Sequence, residues 1–215
     1  MSLEVEQLPL GAFQSNCYVV RRAGADEGVV VDPGWPGETA RIESALAGAR
    51  CVAILVTHGD IDHVAGVAEL AEATGAPVYM PKAERDRLER IEDFLPAGVE
   101  VPLRSHAPDV LLSGEEELDL AGIRFETLRV PGHTAGHLAF AADGCLFSGD
   151  VLFSGSVGRT DRPGASWDAL LDSIRALAER FPPDTVVYPG HGPATTLGGE
   201  LQANPFLGDL RPAGQ

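Results

Sequence analysis

The run Cys51-Val52-Ala53-Ile54-Leu55-Val56 is apolar without alternation, and it leads straight into Thr57-His58-Gly59-Asp60-Ile61-Asp62-His63. Such a run predicts a strand covered on both faces, which calls for a layered α/β fold. Its carboxyl end then carries four histidines and aspartates within six positions, denser than solvent-facing charge requires. These are the side chains that hold zinc, iron or manganese. In layered α/β folds ligands gather at that edge, because loops from several strands converge there.

The same grammar recurs downstream. Gly132 precedes His133, Gly149 precedes Asp150, and His191 lies between Gly190 and Gly192, each after a strand-like run. Glycine lets the backbone turn tightly and lets a metal and its substrate come close. One Gly-His pair would more often be a loop histidine with a hydrogen bond. Four such junctions, one of them opening a dense cluster, predict a single metal site.

Around these junctions the first third reads strand, strand, strand, helix, strand. Asn16 to Arg22 and Gly28 to Asp32 are β-branched runs, the second closed by the turn residues Asp32-Pro33-Gly34. Helices are expected over 37–47, 64–73 and 82–94, and 95–109 is a Pro-containing connection placed to lie over the site. Hairpins are expected around Ala121-Gly122 and Asp143-Gly144. Trp167, Leu170, Leu171, Ile174, Leu177, Ala178 and Phe181 share one helical face, which Pro182-Pro183 ends. Thr185 to Tyr188 is the last strand. No short-period repeat appears, and two strand-rich halves with helices suggest two sheets face to face with helices outside.

Composition narrows the function classes. The 215 residues suffice for one large domain over 1–215, with no apolar run long enough to span a bilayer. The amino terminus is acidic and alternating, unlike an export signal, so the cytoplasm is expected. Cys17, Cys51 and Cys145 sit among apolar neighbours and read as reduced core residues. Acids outnumber bases 32 to 16, a formal charge of −16, which argues against a nucleic-acid partner.

Taken together, Thr57-His58-x-x-x-Asp62-His63, Val130-Pro131-Gly132-His133-Thr134, Phe147-Ser148-Gly149-Asp150, Gly158-Arg159-Thr160-Asp161 and Tyr188-Pro189-Gly190-His191-Gly192 resemble the metallo-β-lactamase-fold hydrolases. The resemblance covers nearly the whole chain and is nearest to the glyoxalase II group, hydroxyacylglutathione hydrolases, in their short bacterial form. It implies a four-layer αβ/βα sandwich of two mixed sheets with helices outside. It also implies two divalent ions, zinc first and iron or manganese as alternatives. One would be held by His58, residue 60 and His133, the other by Asp62, His63 and His191, with Asp150 bridging and Asp62 also counted as catalytic. The implied substrate is a small-molecule thioester of the acylglutathione type, cleaved by water activated between the ions. Arg159 is a candidate contact for an anionic substrate, or else the partner in an internal salt bridge.

Position 60 departs from the family pattern, which usually has histidine there. A carboxylate is harder and shorter than imidazole. It also changes the charge: two divalent ions, a hydroxide and two carboxylates keep one net positive charge, which Asp60 as a third carboxylate cancels. Three outcomes stay open: a retuned pair of ions, a single tightly held iron or zinc, or a weakened first site. An iron-dependent persulfide dioxygenase using His58, His133 and Asp150 is the alternative enzyme, and a metal-defective scaffold the non-enzymatic one. Asp62 could instead cap a helix, His137 reads as a supporting hydrogen-bond partner, and His106 as a surface histidine.

Overall fold

The computed structural model describes residues 2–95 and 101–210. The first half runs β1 (Leu3–Leu10), β2 (Ser15–Arg22), β3 (Glu27–Val31), α1 (Thr39–Leu46), β4 (Arg50–Leu55), α2 (Ile61–Val64), α3 (Val67–Thr74), β5 (Val78–Pro81), α4 (Arg85–Glu89) and β6 (Val110–Leu112). The second half follows with β7 (Glu117–Leu120), β8 (Ile123–Arg129), β9 (Leu138–Ala142), β10 (Cys145–Gly149), β11 (Leu152–Phe153), β12 (Ser156–Val157), α5 (Trp167–Arg180), β13 (Val186–Pro189), β14 (Thr195–Thr196) and α6 (Leu197–Ala203). Two six-stranded mixed sheets result, ordered β1-β2-β3-β4-β5-β6 and β14-β13-β10-β9-β8-β7.

Three apolar layers hold the four structural layers together. Ile42, Leu46, Val67 and Leu70 of α1 and α3 cover the outer face of the first sheet, on Val19, Val30 and Ile54. Between the sheets, Val29, Val31 and Leu55 meet Phe125, Phe140 and Phe147. Leu170, Ile174 and Leu177 of α5 close the outer face of the second sheet, on Ala139, Leu146 and Val187. Burying each of these large side chains contributes about 1.5–3 kcal/mol. This is the αβ/βα sandwich that the sequence led us to expect, and β4 is covered on both faces as its apolar run required.

Two expected helices come out divided. The one expected over 64–73 becomes α2 and α3, with Gly66 between them; its N–H donates to Gly34 O at 2.8 Å, and a side chain there would collide with the Pro33 and Trp35 carbonyls. The one expected over 82–94 becomes α4 flanked by 3-10 turns at Lys82–Glu84 and Ile91–Phe94. Of the connection 95–109, residues 96–100 lie outside the described residues, and Leu103 packs onto the outer layer rather than over the metal-type cluster. Among the described residues no helix is long and apolar enough to cross a membrane.

Candidate metal centre

Strand direction gathers the candidate side chains. β4 runs parallel to β3 and β5, and β10 runs parallel to β13, so His58 follows a carboxyl end in the first sheet and Asp150 and His191 follow those of neighbouring strands in the second. The two sheets are tied together at this edge. Leu138 N–H donates to Thr57 O at 2.9 Å and Asn16 N–H donates to Gly190 O at 2.7 Å, while within the first half the Ser15 hydroxyl donates to Asp62 O at 2.6 Å. Helix α5 fixes the remaining loop, since Ser173 Oγ donates to Pro131 O at 2.7 Å and Ser166 N–H donates to Gly132 O at 2.8 Å. His133 follows directly.

All seven candidates meet. The ligand-type atoms of His58, Asp60 and His133 lie within 4.8 Å of one another, as do those of Asp62, His63 and His191. Asp150 stands between the two sets, its Oδ1 at 3.4 Å from His63 Nε2 and its Oδ2 at 3.7 Å from His133 Nε2 and 3.6 Å from His191 Nε2. Gly190 is required here, because a Cβ on it would run into Asp150 Oδ1. Asp62 is not the helix cap that its position allowed. Helix α2 starts at Ile61, and the Asp62 carboxylate instead faces His191 Nε2 at 3.2 Å.

Hydrogen bonds behind the rings fix which nitrogen faces inward. His133 Nδ1 lies 2.8 Å from Arg159 O and His63 Nδ1 lies 2.9 Å from Asp32 Oδ2; both partners only accept, so both nitrogens donate. Thr57 Oγ1 donates to Asp32 Oδ2 at 2.7 Å and is therefore free to accept from His58 Nδ1 at 2.9 Å. All three rings thus present an Nε2 lone pair to the centre. Among the described residues, buried His58 Nε2, His63 Nε2 and Asp150 Oδ1 have no hydrogen-bond partner. Buried polar atoms are rarely left so, and a cation is what this donor set would satisfy.

Charge points the same way. Burial alone would lower the pKa of His63, but Asp150, Asp62 and Asp32 outweigh it and raise it well above the usual value. Burial likewise opposes, and carboxylates likewise outweigh, at His133 and His191. A field that favours a proton on these rings also favours a divalent ion. His58 is the exception, lowered by burial and then by its neighbouring histidines. His137 accepts from Asp150 N–H at 3.0 Å, and burial, followed by the proximity of His133, lowers its pKa to about 3; it stays neutral and supports Asp150 from behind.

Residues 10–191 match the Metallo-beta-lactamase superfamily. The chain belongs to that superfamily. Within the superfamily it is 35% identical to the hydroxyacylglutathione hydrolase GloC of Haemophilus influenzae, over 95% of this chain and 98% of that one. It is similar to the BLEG-1 B3 metallo-beta-lactamase, with a TM-score of 0.87, 35% identity and coverage of 95% and 100% of the two chains. It is similar also to TTHA1623, solved in a di-iron-bound form, with a TM-score of 0.83, 40% identity and coverage of 94% and 100%.

Several side chains at this superfamily site escaped the sequence reading. Asp32, taken as a turn residue, orients His63 directly and His58 through Thr57; the signal was that it too ends an apolar strand. Arg87 Nη1 donates to Asp60 Oδ1 at 3.2 Å and Arg162 Nη1 donates to Asp60 Oδ2 at 2.6 Å, and nothing local in the sequence announced either pair. Arg159 forks onto Asp161 at 2.6 and 2.8 Å, and its backbone carbonyl is what touches the centre. His106 stands apart, beside Asp109. A cavity of about 480 Å³ opens over the site, with Phe13, Phe94 and Phe153 among its walls.

Proposed function

We propose that this chain is a cytoplasmic, single-domain hydrolase that cleaves a small-molecule thioester of the acylglutathione type. The observation that carries the hydrolase reading is the pair of adjoining ligand sets with inward, unpaired Nε2 atoms and a shared Asp150. Support for the thioester is the full-length similarity to GloC. His58, Asp60 and His133 would hold one divalent ion and Asp62, His63 and His191 a second, with Asp150 between; the order of preference is zinc, then iron or manganese. Ions held there would supply charge to polarise the substrate carbonyl and acidify a water. Asp62, which lines the cavity, would accept a proton from water there. The departing thiolate is a weak base and needs no acid, and no tyrosine, lysine or glutamate lines the cavity among the described residues. Three free cysteines, with burial raising the thiol pKa of Cys17 well up and of Cys51 to about 11, fit a reducing compartment.

The test is thiol release from S-lactoylglutathione by metal-loaded protein. Acylthiol esters left intact while lactones or phosphodiesters are cleaved would overturn the substrate class. A second reading draws on the two guanidinium groups that engage Asp60, which leave His58, His133 and Asp150 as a two-histidine, one-carboxylate set for iron. Oxygen uptake with glutathione persulfide on iron-loaded protein would select that reading, and a chain that retains no metal at all would select the scaffold.

A further inference from the structure

Asp60 is 7% exposed, and both of its oxygens are committed. Oδ1 accepts from Arg87 Nη1 at 3.2 Å. Arg87 cannot easily leave, because its Nε lies 3.2 Å from buried Glu84 Oε2, its guanidinium lies over the Phe94 ring at 5.2 Å, and its stem packs where a side chain on Gly59 would otherwise be. The carboxylate therefore cannot turn over, and Oδ2 is the oxygen that faces His133 Nε2, at 3.2 Å. Arg162 Nη1 donates to that same oxygen at 2.6 Å. Arg162 lines the cavity as Arg87 does, but its side chain is the more exposed, 47% against 32%.

We propose that Arg162 is a positioning residue that competes with the first metal ion for Asp60 Oδ2, so that the two halves of the centre bind metal with unequal affinity. The proposal rests on the metal-centre reading above. An ion approaching His58 and His133 Nε2 meets an oxygen one of whose lone pairs is already engaged, and a positive charge beside it. Asp62, His63 and His191 have no such rival: the ion pairs of Asp62 are with histidines alone among the described residues. The second set fills first and the first set fills last, although the first is the more deeply buried.

Metal-free protein titrated with zinc against a chromophoric chelator, with bound metal counted by mass spectrometry, reads both affinities directly. The wild type should show one tight and one weak site. Arg162→Gln should tighten the weak site about tenfold or more, the scale expected when one nearby charge at a partly screened position is removed, and leave the tight site unchanged. Arg162→Lys, which keeps the charge, should stay close to wild type, and Arg162→Gln in an Asp60→Ala background should tighten the weak site less than it does with Asp60 in place. Two equal sites in the wild type, or a weak site that Arg162→Gln leaves alone or loosens, would overturn the proposal while leaving the metal centre standing. No zinc bound by any of the variants or the wild type would overturn both.

Discussion

Asparagine at position 32 should disturb two metal-facing histidines at once. Asp32 is 2% exposed and accepts three hydrogen bonds: from Thr57 N–H at 2.8 Å on Oδ1, and from Thr57 Oγ1 at 2.7 Å and His63 Nδ1 at 2.9 Å on Oδ2. Its φ of 49° is one that asparagine also adopts, so the backbone is undisturbed. The amide can replace only one of the two oxygens. With its NH2 group at Oδ1 it opposes the Thr57 N–H, donor against donor. With its NH2 group at Oδ2 it opposes His63 Nδ1–H, and it makes Thr57 accept, which turns the threonine proton toward His58 Nδ1 and moves the proton of that ring to Nε2. The first arrangement leaves a buried donor unpaired, costing about 1–3 kcal/mol. For a chain of this size that lowers the melting temperature of the metal-free protein by about 2–12 °C. The second spares stability and blinds His58 and His63 to metal, lowering affinity by about 10–100-fold. Thermal melts of metal-free protein and chelator competition together detect either outcome. A variant with an unchanged melting temperature and unchanged metal affinity would refute the hydrogen-bond logic of the centre.

Two further tests address the same edge. Gly190→Ala should fold with unaltered helix content yet bind less metal than wild type, since its methyl group would displace Asp150 Oδ1; full metal occupancy in the variant would show that Asp150 is not shared. Metal uptake should release protons and strengthen as pH rises past the ordinary histidine range, because carboxylates, against burial, raise the pKa of His63, His133 and His191, and a protonated ring cannot ligate. The sign is set by those raised values: protons compete more strongly as pH falls. Calorimetry in buffers of different ionisation enthalpy measures the release, and uptake with no proton exchange would contradict it.

What could be read from the chain is what neighbouring residues decide. The hairpins at Ala121-Gly122 and Asp143-Gly144 form where their turn residues stand at positive φ, and α5 follows the apolar stripe from Trp167 to Arg180. The helix breaks were hidden because their causes are distant: Gly66 must let the Pro33–Trp35 backbone pass. β6, β11, β12 and β14 are two or three residues long, and pairing with a neighbouring strand makes them strands, not any periodicity of their own. His58, His133, Asp150 and His191 were legible because each follows a strand beside glycine, and Asp60, Asp62 and His63 because they crowd beside His58. Their hydrogen-bonded supports were not, with Asp32 the exception that the same rule would have caught.

Charge is the property that a list of ligands conveys least well. Read alone, Asp60 subtracts one charge from the centre and should make its water less acidic. In the fold it sits under Arg87, 27 residues away, and Arg162, 102 residues away, each in direct contact with one of its oxygens. Either guanidinium offsets the added carboxylate, although solvent partly screens the offset, the Arg87 side chain being 32% and the Arg162 side chain 47% exposed. These contacts outweigh the cost of burying the carboxylate, since its pKa is lowered: burial pushes it up, while His133, Arg162 and Arg87 pull it further down. A carboxylate held by two guanidinium groups is closer in net charge to the imidazole that the family resemblance implied there than to a bare aspartate. The substitution therefore changes the competition for one oxygen more than it changes the field at the metals.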